Sequence, residues 1–189
     1  LVPSAHALAL ENHTEARSFF YAGILGLFVF FMFAMAASNL KIFESSVQQL
    51  ASLAFGLLLL PLYLATPEYD IIQNTHFINA YFDMVSALTT TGLVVFQPDS
   101  ISDTLHLWRA LVAWMGGVLI WLTAAAILAP LNLGGFEVAV AKNAHKAHFL
   151  TTVERKEFLK RIAIALFPLY FVLTVVLWFG LRISGIPGF

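Results

Sequence analysis

The chain has 189 residues, of which 60% are apolar and 11% charged, with a formal net charge of -1. Soluble domains run at roughly 45–50% apolar and about 25% charged, so this composition excludes a water-soluble core. The charge gives no basic face for nucleic acid, and the lack of cysteine removes disulfides, thiol nucleophiles and Cys-based zinc sites.

The opening stretch Leu1–Arg17 carries Glu11 and Glu15 and no basic leader, so it does not read as a signal peptide. Because it begins at Leu1 and stops at Phe189 just past a hydrophobic segment, the sequence reads as a piece of a longer protein. Four segments have the roughly 20 apolar residues that a membrane crossing needs: Ser18–Ser38, Val47–Thr66, Leu107–Leu131 and Ile162–Leu181. Pro61 and Pro168 fall inside two of them, which spanning helices tolerate when neighbours satisfy the freed backbone groups.

A fifth apolar segment, His76–Leu88, is too short to span and reads as re-entrant. It runs directly into Thr89-Thr90-Thr91-Gly92-Leu93-Val94-Val95. The expected fold is therefore an all-α membrane protein built on a helix–pore-loop–helix repeat, with one extra helix before it. The expected divisions are 1–46 for the outer segment and preceding helix, 47–131 for the repeat, 132–161 for a basic loop, and 162–189 for the first helix of a second repeat.

Cytoplasmic loops collect Lys and Arg. Residues 132–161 hold Lys142, Lys146, Arg155, Lys156, Lys160 and Arg161, and Lys41 precedes the second span. The 67–105 region instead holds Glu68, Asp70, Asp83, Asp99 and Asp103 with no Lys or Arg. Alternation then puts the N-terminus and the 67–105 loop outside and the 132–161 loop in the cytoplasm. Within that loop Leu133-Gly134-Gly135-Phe136 reads as a turn, and Thr151 with Glu154 fits a capping box opening the last helix.

Extended backbone at membrane depth is tolerated only where it is buried in protein or lines a water-filled path. Carbonyls facing such a path can replace the hydration shell of a cation, as in potassium filters. Gly92 can take φ > 0 and turn its carbonyl toward the axis, while the β-branched threonines before it stiffen the strand. The preceding short helix would point its partially negative C-terminal end at the ion path.

The run Ala80-Tyr81-Phe82-Asp83-Met84-Val85-Ser86-Ala87-Leu88-Thr89-Thr90-Thr91-Gly92 resembles the first pore loop of the Trk/Ktr/HKT potassium transporter superfamily. Trp108–Gly117, followed by Ala126–Leu131, is similar to the inner helix after that loop. The extra preceding helix brings the resemblance closest to the bacterial TrkH branch. The resemblance implies potassium as the transported ion, four such repeats around one path, a homodimer in the full-length protein, and a cytoplasmic nucleotide-binding regulatory subunit of the TrkA type. It implies a multi-pass protein of the cell inner membrane. Carried onto this sequence, the ion-coordinating carbonyls fall on Thr90, Thr91 and Gly92. The family usually has Glu in the pore helix where this sequence has Asp83; that acid either supports the filter from behind, draws cations to the mouth, or is simply capped or hydrated.

Arg109 reads first as an interfacial anchor and second as a partner for Asp83 or another outer acid. Gly116 and Gly117 suit close helix packing, with a gating hinge as the alternative. His145 and His148 lack the company a metal site needs. The basic stretch 138–161 is met by ordinary topology, by a docking surface for a regulatory subunit, or by anionic lipid.

Three rivals remain in view. A homotetrameric channel would be expected to carry a T-V-G-Y-G string. A cation- or proton-coupled carrier would use ionisable residues within its spans, and none lies mid-segment here. For a membrane enzyme the sequence offers no H-E-x-x-H, G-x-S-x-G or phosphate-cradling glycine run.

Overall fold

The computed structural model describes residues 1–37, 46–131 and 152–185. Six α-helices make up these residues: α1 (Val2–Ala9), α2 (His13–Ala37), α3 (Ser46–Ile71), α4 (Phe77–Leu88), α5 (Asp103–Leu131) and α6 (Thr152–Ile183). A 3-10 turn at Pro98–Ser100 is the remaining element, and no strand occurs among the described residues. By length and composition α2, α3, α5 and α6 can each cross a membrane, whereas α4 cannot. The all-α membrane fold class expected from composition is the one found. Lys41, residues 132–150 with Lys142, Lys146, His145 and His148, and the proposed cap Thr151 lie outside the described residues.

The chain divides into two compact units, Leu1–Gly117 and Val118–Phe189. In the first, α1 and α2 form a helical hairpin that the sequence did not announce. Pro3 is harmless in the first turn of α1, where its missing N–H would have no intrahelical partner. Glu11, at φ 60, closes α1: its N–H donates to the Leu8 carbonyl at 3.0 Å and that of Asn12 to Ala7 at 2.9 Å. This paired 5→2 and 6→1 pattern is a Schellman cap. Asn12 then caps the start of α2, its Oδ1 accepting the Glu15 N–H at 3.3 Å.

α3 runs five residues beyond the Thr66 expected as its end, passing through both Pro61 and Pro67. Pro67 brings no N–H to the Tyr63 carbonyl four residues before it. The Thr66 hydroxyl supplies the missing donor at 2.8 Å, so the helix continues. Tyr63 meanwhile donates its phenol O–H to the Ala22 carbonyl, tying α3 to α2.

The hairpin also holds the outset of α5. Ser102 Oγ accepts the Leu105 N–H at 3.3 Å and donates to Glu15 Oε2 at 3.0 Å. His6 Nδ1 lies 3.1 Å from the hydroxyl of the buried Thr104. One turn on, Trp108 Nε1 donates to the Leu64 carbonyl at 3.2 Å, and its ring packs on Phe19 with centroids 5.6 Å apart.

Gly116 brings α5 against the end of α4. A Cβ at this position would collide with the Leu88 carbonyl oxygen, a backbone atom that cannot swing aside. In the second unit, the later turns of α5 and α6 enclose an apolar groove lined by Trp121, Leu122, Phe167 and Tyr170. α6 ends at Gly185, whose φ of 80 lets its N–H reach the Arg182 carbonyl at 3.2 Å.

The Gly116 contact predicts that Gly116→Val destabilises the protein by about 1–3 kcal/mol, the usual cost of overpacking. Gly56 has open space where a Cβ would stand. Gly56→Ala should leave stability level or raise it by about 0.5–1 kcal/mol. Unfolding midpoints in one detergent compare the two.

Candidate functional site

α4 buries Ala80, Asp83, Met84, Ala87 and Leu88. These positions follow an i, i+3, i+4, i+7, i+8 pattern and form one stripe. An acid in an otherwise apolar stripe is costly unless it is paired. Asp83 is 1% exposed, so its partners decide what the stripe does.

At its C-terminus α4 ends in the same Schellman pattern as α1. The Thr90 N–H donates to Ala87 at 3.1 Å and the Thr91 N–H to Ser86 at 2.9 Å. The residue in the left-handed position is Thr90, at φ 56. A β-branched residue is an outlier there, and the left-handed region costs an L-residue about 1–2 kcal/mol. Gly92, at φ 78, takes the positive φ expected of it. The Thr89 hydroxyl donates to the Val85 carbonyl at 2.7 Å and lies 2.8 Å from that of Thr91.

After Gly92 the chain doubles back along α4. Ser86 Oγ donates to the Leu93 carbonyl at 3.0 Å, and the Val95 N–H donates to Asp83 Oδ1 at 3.2 Å. Arg109 of α5 completes the arrangement. Its Nε stands 2.9 Å from Asp83 Oδ2, and Nη2 donates to the Leu93 carbonyl at 2.6 Å. Arg109 is thus a partner of Asp83 and not merely an interfacial anchor. Through one oxygen Asp83 accepts the Val95 amide after Gly92, and through the other it meets the guanidinium from α5.

Sequence reasoning missed Glu68. It was counted with the outer acids, yet it lies in α3, is 2% exposed, and sets its carboxyl beside that of Asp83. Two buried carboxyl groups therefore face the single guanidinium of Arg109. Ending the second span at Thr66 leaves Glu68 in the outer 67–105 region, whereas α3 runs on to Ile71.

Thr90, Thr91 and Gly92 are exposed. Among the described residues their carbonyls accept no hydrogen bond, whereas the Leu93 carbonyl takes two. The carbonyls of Thr89, Val94 and Val95 accept none either among the described residues, so Leu93 is the pinned exception in this loop. Three consecutive unpaired carbonyls can serve as neutral oxygen ligands for a hard cation. No group of three or more His, Asp or Glu side chains suited to a metal occurs among the described residues.

Removing either partner of a buried ion pair typically costs about 3–5 kcal/mol, because the other charge is left uncompensated. Arg109→Ala should fall near that range, and Asp83→Ala below it, because Glu68 remains to face the guanidinium. The double variant should lose less than their sum by at least about 1 kcal/mol, since partners in direct contact do not add. A denaturation cycle over the four proteins measures this.

Neither a family model nor a solved structure gives a significant match. Curated relatives do. The Trk system potassium uptake protein TrkI of Halomonas elongata is 39% identical over 80 residues, covering 42% of this chain and 15% of that protein. TrkH of Salmonella typhimurium is 30% identical over 120 residues, which is 61% of this chain and 24% of the relative. TrkH of Escherichia coli K12 matches over the same length at 29%. The matched stretches span less than a quarter of these relatives' length. The chain is therefore a relative of the Trk system potassium uptake proteins, TrkH-like over the stretch that matches.

Proposed function

We propose that this chain contributes to potassium uptake across the cytoplasmic membrane, supplying one of four pore repeats. The repeat comprises α3, α4, the 89–97 loop and α5, preceded by the α1–α2 hairpin. The carbonyls of Thr90, Thr91 and Gly92 are its ion ligands and potassium is the cargo. The observation carrying this reading is exposed, non-helical backbone at Thr91 and Gly92, directly after a helix too short to span a membrane, with the carbonyls of Thr90, Thr91 and Gly92 accepting no hydrogen bond among the described residues. Extended backbone at membrane depth is tolerated where it lines a water-filled path, and carbonyls on such a path can replace a cation's water shell. The printed names of the relatives agree with the ion.

In this reading the N-terminus and the 67–105 loop face outward, where the acids concentrate. Residues 132–161 face the cytoplasm, and a nucleotide-binding subunit of the TrkA type docks on that side. The full-length protein works as a homodimer. The loop reads Thr89-Thr90-Thr91-Gly92-Leu93-Val94-Val95 and not T-V-G-Y-G, which disfavours the homotetrameric channel.

The complete protein carrying this chain should restore growth of a potassium-uptake-deficient bacterium at low potassium. A Cβ at Gly92 would meet nothing within 4 Å, so substitution there acts through backbone conformation and not through a clash. Gly92→Val should abolish rescue or admit sodium, because the left-handed region costs a branched residue at least about 1–2 kcal/mol. Unchanged rescue with intact potassium preference would refute the ligand assignment.

A further inference from the structure

Among the described residues, the buried side-chain oxygens left without a hydrogen bond are Glu68 Oε2 and Asp83 Oδ2. Such orphans are rare in folded proteins and call for an explanation. They belong to neighbouring side chains. Glu68 follows Pro61 and Ala65 on the buried stripe of α3, and its carboxyl lies within hydrogen-bonding reach of Asp83 from α4. Asp83 Oδ1 is already taken by the Val95 amide. Arg109 Nε stands 2.9 Å from Oδ2 as an ion pair, yet its N–H is not aimed for a hydrogen bond to that oxygen.

Two ionised carboxylates offer each other only acceptors. A hydrogen between them supplies the donor that both lack, and an O–H on a carboxylate is among the stronger hydrogen bonds. Charge counting gives the same answer. The charged groups acting on Glu68 are Asp83 of α4 and Arg109 of α5. Glu15 of α2 is engaged with Ser102, and Asp70 of α3 with Ser18. Two carboxylates and one guanidinium would leave a negative charge buried without a partner, which is costly. One proton makes the cluster neutral.

We propose that Glu68 and Asp83 hold one proton between them, which makes Glu68 a positioning residue for the loop that follows α4. The shared hydrogen keeps Asp83 on the Val95 amide and leaves Arg109 free to hold the Leu93 carbonyl. The proton belongs to the pair and not to either residue. Its presence does not depend on the potassium reading above; its effect on uptake rests on that reading. The proton is bound at low pH, so the cluster is intact there. As pH rises and the proton leaves, two carboxylates compete for Arg109. The guanidinium is then drawn off the Leu93 carbonyl, next to the ligand at Gly92, and uptake falls.

The test uses the complete protein in liposomes, with potassium flux driven by a fixed potassium gradient while the pH is varied. One proton governs the change, so beyond its midpoint wild-type flux should fall about tenfold per pH unit. Glu68→Gln presents an amide donor to Asp83 at every pH, so it should support flux at neutral pH and lose the alkaline fall. Glu68→Ala removes the donor, and its flux should lie below that of Glu68→Gln throughout. Infrared spectra of the same proteins read the proton directly. The wild type should show the carbonyl stretch of a buried carboxylic acid, and both Glu68→Gln and Asp83→Asn should lack it. If Glu68→Gln fails to accumulate, the wild-type band and its loss at alkaline pH decide the matter with Asp83→Asn. Absence of the band in the wild type, or its persistence in either variant, would overturn the proposal. So would a flat wild-type pH profile, or an alkaline fall retained by Glu68→Gln. A wild-type protein that passes no potassium at any pH would instead defeat the underlying reading, with the infrared band still judging the proton.

Discussion

The loop between α4 and α5 depends on one buried carboxylate. Asp83 accepts the Val95 N–H through one oxygen and meets the Arg109 guanidinium through the other. Arg109 in turn holds the Leu93 carbonyl. Three successive segments are thereby fixed to one point: the middle of α4, the chain after Gly92 and the second turn of α5. A buried charge pair of this kind is weak evidence of stability, because desolvation consumes most of the attraction. Its value lies in geometry. Arg109 can reach both groups only if α5 stands in one register, and Asp83 can hold Val95 only if the chain reverses tightly after Gly92.

Close backbone packing enforces the same register. Gly116 lies seven residues, or two turns, beyond Arg109, on the same face of α5. Its missing Cβ lets α5 approach the Leu88 carbonyl where α4 ends. Polar tethering at the head of α5, by Ser102 to Glu15 and by Thr104 to His6, holds the start of that helix. The α1–α2 hairpin therefore acts on the loop at a distance, setting the height at which Arg109 enters. That gives the preceding helix a structural purpose which its position in the sequence alone did not suggest.

What the sequence revealed and what it hid divide along a physical line. Spans, the half-length α4 and the need for positive φ at Gly92 follow from local composition and from single-residue sterics, and these were readable. Glu68 was misread because its burial depends on α3 continuing past Pro67, which in turn depends on the Thr66 hydroxyl replacing a lost donor. The pairing of Arg109 with Asp83 links residues 26 positions apart in sequence, and no local pattern distinguishes it from snorkelling. Thr90 at positive φ ran against propensity, so only the cap geometry exposes it. The α1 helix was missed because eight residues carry too little periodicity to separate from a polar lead-in.

Seen from the carbonyls outward, the first unit is well tied on one side of the loop and bare on the other. Behind the loop stand Asp83, Ser86 and Arg109, each spending a hydrogen bond on the return strand. In front, Thr90, Thr91 and Gly92 are exposed, and Leu93 and Val94 follow with more than half their surface open, at 53% and 55%. A turn in water would bury Leu93 and Val94. Their exposure beside exposed main chain calls for an apolar neighbour as well as a polar one, and in the reading proposed above an ion and neighbouring repeats would supply them.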